Sequence, residues 1–138
     1  RPAFAQPSGR DMRAIDSNVL VRLLTRDDAD QAGAADAFIS KGAWVSHLVL
    51  AETFWVLDSV YDLARAQIAT AVEMLLNHRE LSLQDVDVVS AALEHYRQRP
   101  AVEFSDCLVL EIARKAGHLP VATFDRNFSR LDDVQRLG

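Results

Sequence analysis

MRAIDSNVLVRLL, residues 12–24, decides the fold. Met12 to Ile15 reads as a short strand that Asp16 ends. A second apolar stretch, Asn18 to Leu24, follows at once and predicts a first helix that is apolar on most faces and buried. A strand that turns into a helix through an acidic residue opens a parallel α/β unit. The rest of the chain repeats that grammar. Asp27, Asp28 and Asp30 open an Ala-rich helix running to Ser40, because acids suit the positive end of a helix. Gly42 stops it, and Trp44 to Ser46 reads as a second strand.

Leu48 to Tyr61 predicts a long helix with Leu48, Ala51, Trp55 and Leu57 facing inward and a wetter face at Thr53 and Asp58. Leu63 to His78 predicts another, with Ile68, Val72 and Leu75 at helical spacing. A short strand at Leu81 to Leu83 and a helix over Asp85 to Arg97 follow, the helix ended by Pro100. Ser105 to Ala116 is helical, with Gly117 as its stop and Pro120 just beyond. Pro120 to Thr123 reads as a strand closed by Asp125, and the tail from Leu131 to Leu137 has no decisive pattern. Short strands alternating with helices predict one domain, residues 12–138, built on a small parallel sheet.

Bulk properties narrow the function. The 138 residues, 49% apolar and 25% charged, suit a single globular core. No run of eighteen apolar residues occurs, so no membrane span is expected. One cysteine, Cys107, cannot form an internal disulfide and fits a reducing, cytoplasmic setting. The four histidines have no zinc-ligand spacing. Arg1 to Asp11 lacks any apolar period and reads as an expression remnant ahead of Met12. Without Arg1, Arg10 and Asp11 the net charge of −5 becomes about −6. A net acidic chain binds nucleic acid poorly unless a local basic rim or a metal helps.

Four acids are placed oddly: Asp16, Glu52, Asp106 and Asp125 each end, follow or enter an apolar run. Read singly, Asp16 and Asp125 suit helix or turn caps, and Ser105 or Asp106 suits the cap of its own helix. Glu52 lies within a helix, with Leu48, Ala51, Trp55 and Val56 as neighbours, and cannot cap it. On that stripe it needs a partner or a metal, unless it faces solvent.

Read together, the four have a common destination. Ligands of an open parallel sheet bind beyond the carboxyl ends of its strands, where strand-ending acids and helix starts gather. Converging carboxylates repel unless a cation neutralises them, and hard divalent cations prefer oxygen. Two such ions roughly 4 Å apart suit phosphoryl hydrolysis. Such a cluster, free of metal, should hold at least one carboxylate whose pKa like-charge repulsion raises. Asn18, Thr123 and Ser46 are supporting polar candidates, with Asn127 and Glu103 weaker ones. Arg22, Arg26, Arg126 and Arg130 flank the acidic edge and are candidate phosphate contacts.

The ordered set IDSNVLVRLL, a strand ending in Ser before a helix containing AE, FSDCLVLEIARKAG and VATFDRNF resembles the PIN domain, and within it the VapC-type toxins of bacterial toxin–antitoxin pairs. The likeness runs from Met12 to about Leu131. It implies a three-layer α/β/α sandwich with a small, mostly parallel central sheet. It implies a Mg²⁺- or Mn²⁺-dependent endoribonuclease, with Asp16, Glu52, Asp106 and Asp125 as the acidic positions and Asn18 and Thr123 as supporting ones. It also implies a homodimer and a cognate antitoxin that blocks the site. Two other readings compete: an aspartyl-phosphate phosphatase using Asp16 as nucleophile, and a non-catalytic interaction module whose acids are only caps.

Overall fold

The computed structural model describes residues 12–138; the remnant assigned to Arg1 to Asp11 lies outside the described residues. The elements run α1 (Ser17–Thr25), α2 (Ala29–Ile39), β1 (Ala43–Val45), α3 (His47–Ser59), α4 (Arg65–Leu76), β2 (Leu81–Leu83), α5 (Val86–Gln98), α6 (Phe104–Ala116), β3 (Val121–Thr123), a 3-10 turn at Phe128–Arg130 and β4 (Val134–Arg136). The helix starts follow from local chemistry. Asp28 accepts from the Gln31 amide (3.0 Å), and Asp85 from the amides of Asp87 (3.1 Å) and Val88 (3.3 Å). Gly117 ends α6 in the left-handed conformation (φ 86°) that a residue without Cβ adopts freely.

The parallel α/β class holds, with the strands shorter than expected. β1 pairs with β2 and β3 with β4, both parallel, as two separate pairs. The expected Met12 to Ile15 strand shrinks to a single parallel bridge, Ala14 to Trp44. Two backbone bonds hold it, Ile15 N–H to Trp44 O (3.2 Å) and Trp44 N–H to Arg13 O (2.9 Å). That suffices to deliver Asp16 to the carboxyl end of the sheet. β4 falls in the tail that showed no pattern, because it is too short to alternate and its inward residue, Val134, is only partly buried.

Helices supply most of the core. Leu20, Leu50, Leu57, Leu75, Leu108 and Leu110 are fully buried. Phe104 packs edge-on between Phe54 (5.3 Å) and Tyr96 (5.9 Å), joining α3, α5 and α6. α1 is less buried than its sequence suggests: Leu20 and Val21 are buried, while Val19, Leu23 and Leu24 are partly so.

α3 corrects the predicted helical phase. Its buried face is Leu50, Thr53, Phe54 and Leu57. Leu48 is 74% exposed and Trp55 60% exposed. Apolar residues occur all round HLVLAETFWVLDS, so periodicity could not choose a face. Thr53 enters the core because its hydroxyl donates to the Val49 carbonyl one turn back (2.7 Å).

Candidate metal and nuclease site

The acidic residues fall into two groups by their contacts and nearby charges. The first is Asp16 and Glu52, joined by Ser17. Asp16 is the N-cap of α1, its Oδ1 accepting from the Ser17 amide (2.7 Å). The Ser17 hydroxyl then donates to Glu52 Oε1 at 2.6 Å, crossing from α1 to α3. Glu52 is therefore exposed and held by a hydroxyl, on the outward stripe with Leu48 and Trp55. The inward apolar stripe assigned to it is overturned, and the alternative of a solvent-facing Glu52 stands.

The second group is Asp106, Asp125 and Glu103. Glu103 is the N-cap of α6 but makes no side-chain capping bond, and Asp106 lies in the first turn beyond it. Neither Ser105 nor Asp106 caps this helix, so the capping explanation of Asp106 fails. Burial, chiefly, pushes the Asp106 carboxyl above its ordinary range, and the nearby charges of Glu103 and then Asp125 push it further. The direction matches the expectation, but the cause assigned to it is corrected: desolvation comes ahead of like-charge repulsion. Asp125 does serve as a turn cap: its Oδ1 accepts from the amides of Asn127 (2.8 Å) and Phe128 (3.2 Å). Thr123 in turn accepts from the Asp125 amide at 3.0 Å.

α3, which carries Glu52, packs against both α1 and α6. As the side chains stand, no three acidic, histidine or cysteine residues among those described are close enough to hold a metal ion. The donor set nevertheless fits one. It is all oxygen, the choice of Mg²⁺ and Mn²⁺. Asp16 and Asp125 each commit Oδ1 to a backbone amide, and their Oδ2 atoms accept no hydrogen bond among the described residues. The charged groups that perturb Asp106 are both acids. A partly desolvated carboxylate with two acidic neighbours and no cation gains most from a cation supplied from outside.

The supporting candidates divide. Thr123 holds Asp125, as above. Ser46 is the N-cap of α3 and accepts from the Val49 amide (3.1 Å). Asn18 is exposed and lines a groove of about 560 Å³ between α1 and α2 with Asp16, Arg22, Gln31, Ala35 and Phe38. Asn127 lends only its amide.

Of the basic candidates, Arg22 bonds Gln31 (2.6 Å), Tyr61 (2.9 Å) and Asp27 (3.3 Å). Arg26 forms a two-pronged pair with Asp36 (3.1 and 2.6 Å). Both cations already have carboxylate partners in the fold. Arg126, the residue after Asp125, and Arg130 are exposed. Sequence reasoning missed two residues. Ser17 was readable as a hydroxyl next to Asp16. Arg136 was not, because only the strand pairing sets it opposite Thr123.

The chain is 27% identical over 126 residues to a VapC ribonuclease of Aquifex aeolicus (strain VF5), covering 87% of this chain and 92% of that protein. No solved structure matches the chain significantly. The family profile of the PIN domain matches residues 14–134, from the bridge residue before Asp16 to the first residue of β4. The chain belongs to the PIN domain family.

Proposed function

We propose that this protein is a metal-dependent endoribonuclease of the VapC type, the toxin of a toxin–antitoxin pair. What supports the site best is Asp106: a half-buried carboxylate in the first turn of α6, with the acids Glu103 and Asp125 near enough for their charges to act on it. Asp16, Asp106 and Asp125 would hold Mg²⁺ or Mn²⁺, and Glu52 would bind it directly or through water. When bound, the ion supplies a water activated for attack and offsets charge on the phosphate.

The chain's own residues do the rest. Ser17 fixes the Glu52 carboxylate by its 2.6 Å bond, keeping the group oriented before RNA arrives. The two amides on Asp125 Oδ1 and the Thr123 hydroxyl behind it aim the other carboxylate. Asn18 would orient substrate or water in the groove that it lines with Asp16. Arg126, Arg130 and Arg136 are the exposed cations for the RNA backbone, in preference to the already paired Arg22 and Arg26.

A cognate antitoxin and a second copy of the chain are the expected protein partners. Exposed Leu48 and Trp55 on α3, and Val109 and Ile112 on α6, support an assembled state, since exposed large apolar side chains grouped on neighbouring elements favour association. No helix among the described residues is long and apolar enough to cross a membrane. The lone buried thiol, Cys107, supports a cytoplasmic setting.

The test is cleavage of RNA by the purified protein with Mn²⁺, with Mg²⁺ and with EDTA. Asp16→Asn and Asp106→Asn should each lower the metal-dependent rate at least about a hundredfold while keeping the native circular dichroism. Cleavage retained in both folded variants would refute the site.

A further inference from the structure

Glu111 is the one charged side chain buried among the described residues, 6% exposed, and the proposed reaction does not use it. Its Oε2 lies 2.9 Å from His95 Nε2 on α5 and 3.3 Å from Arg114 Nε, three residues further along α6. The guanidinium continues outward, its other arm meeting Asp133 Oδ2 at 2.9 Å. A line of polar contacts therefore runs from α5, through a carboxylate buried in α6, to the turn before β4. Burying a carboxylate is costly, and partners that only repay the desolvation add little stability. The arrangement needs another return.

That return lies at the far end of the line. Asp133 holds a left-handed backbone (φ 67°), and its carbonyl accepts from the Val121 amide at 2.9 Å, at the start of the β3–β4 pairing. The register then runs from Val121 opposite Val134 to Thr123 opposite Arg136. At that end the Thr123 hydroxyl holds the Asp125 amide. Phe128 and Leu131 anchor this terminal unit in the core. Among the described residues, the Arg114–Asp133 contact is the one side-chain hydrogen bond or ion pair that ties residues 119–138 to the helical body. Apolar anchors set depth but are non-directional. A guanidinium fork fixes direction.

We propose that Arg114, clamped by buried Glu111, is a positioning residue: it sets the β3–β4 unit, and with it Asp125, against Asp106. Both ends of the reference lie on α6. Eight residues separate Asp106 from Arg114, about 12 Å of helix at 1.5 Å per residue. The inference rests on the metal-nuclease reading for its catalytic consequence, and on the contacts alone for its mechanical one.

Asp133→Asn tests it, because Asn tolerates the left-handed backbone and only the charge is lost. Arg114→Lys is the companion, keeping the charge without the fork. Mn²⁺ is titrated into RNA cleavage and, separately, into binding followed by electron paramagnetic resonance. Amide exchange is measured over residues 121–136. For Asp133→Asn the half-saturating Mn²⁺ should rise about threefold to fivefold, the loss expected for one largely exposed ion pair. The rate at saturating Mn²⁺ should stay within about twofold of wild type, since metal can still draw Asp125 home. The terminal strands should exchange faster without metal and recover with it, and Arg114→Lys should fall between. A variant with wild-type Mn²⁺ demand and wild-type exchange overturns the proposal. So does a lower maximal rate at unchanged Mn²⁺ demand, which marks a merely structural contact. If wild type itself neither binds Mn²⁺ nor cleaves, the nuclease reading falls on its own. Exchange then decides the strut: faster exchange in Asp133→Asn supports it, and unaltered exchange overturns it.

Discussion

Arg65→Met should cost more stability than any other exchange of a partly exposed cation in this chain, and should damage the site from a distance. Arg65, the first residue of α4, gathers the backbone that leads into α6. Its guanidinium donates to the carbonyls of Tyr96 (2.6 Å), Val102 (2.8 Å) and Arg99 (3.0 Å). It also stacks over the Tyr96 ring, 3.8 Å from the centroid. α6 has no side-chain cap of its own, so its start is set by the loop that Arg65 holds. Each of the two partly buried charge-assisted bonds is worth about 1.5 kcal/mol and the exposed one about 0.5 kcal/mol. The cation–π contact adds about 0.5–1 kcal/mol. Methionine keeps the apolar stem and loses all four contacts, for a total of about 4 kcal/mol. In a domain of this size that lowers Tm by about 12–16 °C. A typical domain survives such a loss at 25 °C. Urea unfolding followed by circular dichroism measures it, and cleavage should fall as well, because the same loop delivers Glu103 and Asp106. Arg65→Lys should recover less than half, since an ammonium cannot span three carbonyls and stack. A loss under about 1 kcal/mol for Arg65→Met would show that water replaces the clamp and that the loop holds itself.

Three further outcomes are expected. In the metal-free protein, ionised Asp106 opposes folding, because burial and then Glu103 and Asp125 raise its pKa. That penalty is complete above the raised value, shrinks as pH falls through it, and vanishes below the ordinary carboxylate range near about 4. Asp106→Asn should therefore melt higher than wild type at pH 7, and the gap should close as pH falls; saturating Mn²⁺ should reverse the order, and a gap independent of pH would contradict the cause assigned. The corrected face of α3 predicts that Trp55→Ala costs less than about 0.5 kcal/mol in the monomer, whereas Leu57→Ala costs about 2–5 kcal/mol; equal costs in urea melts would restore the original phase. Cys107 is fully buried and its thiol is pushed up to about 12, chiefly by burial and then by Asp106, so a disulfide reagent at pH 8 should label it only at the rate of unfolding, and immediate stoichiometric labelling of native protein would refute its burial.

Much of the fold was readable because its signals are local. Asp28, Asp85 and Gly117 mark helix ends through bonds and backbone angles that involve only their near neighbours. Ile68, Val72 and Leu75 declared the buried face of α4 because steps of four and three residues put them on one side of a helix. The α3 face was unreadable for the opposite reason: apolar residues surround that helix, and packing against α1 and α6 chose among them. β4 was hidden because three residues gain strand character only from a partner.

The candidate site divides in the same way. The chain by itself determined the PIN-type order of acids and the local positions of three of them, Asp16 and Asp125 after strand residues and Asp106 in the first turn of a helix. It left open whether each acid was a cap. Tertiary structure decided that. Asp16 and Asp125 bind backbone amides through one oxygen, whereas Asp106 caps nothing and is desolvated between two other acids. It also moved Glu52 from an apolar stripe to a solvent-facing position held by Ser17. Capping is a contact between chain neighbours and leaves its mark in sequence. Desolvation, and the charge of Asp125 on Asp106, come from segments far apart in the chain, and only the packed molecule brings those segments together.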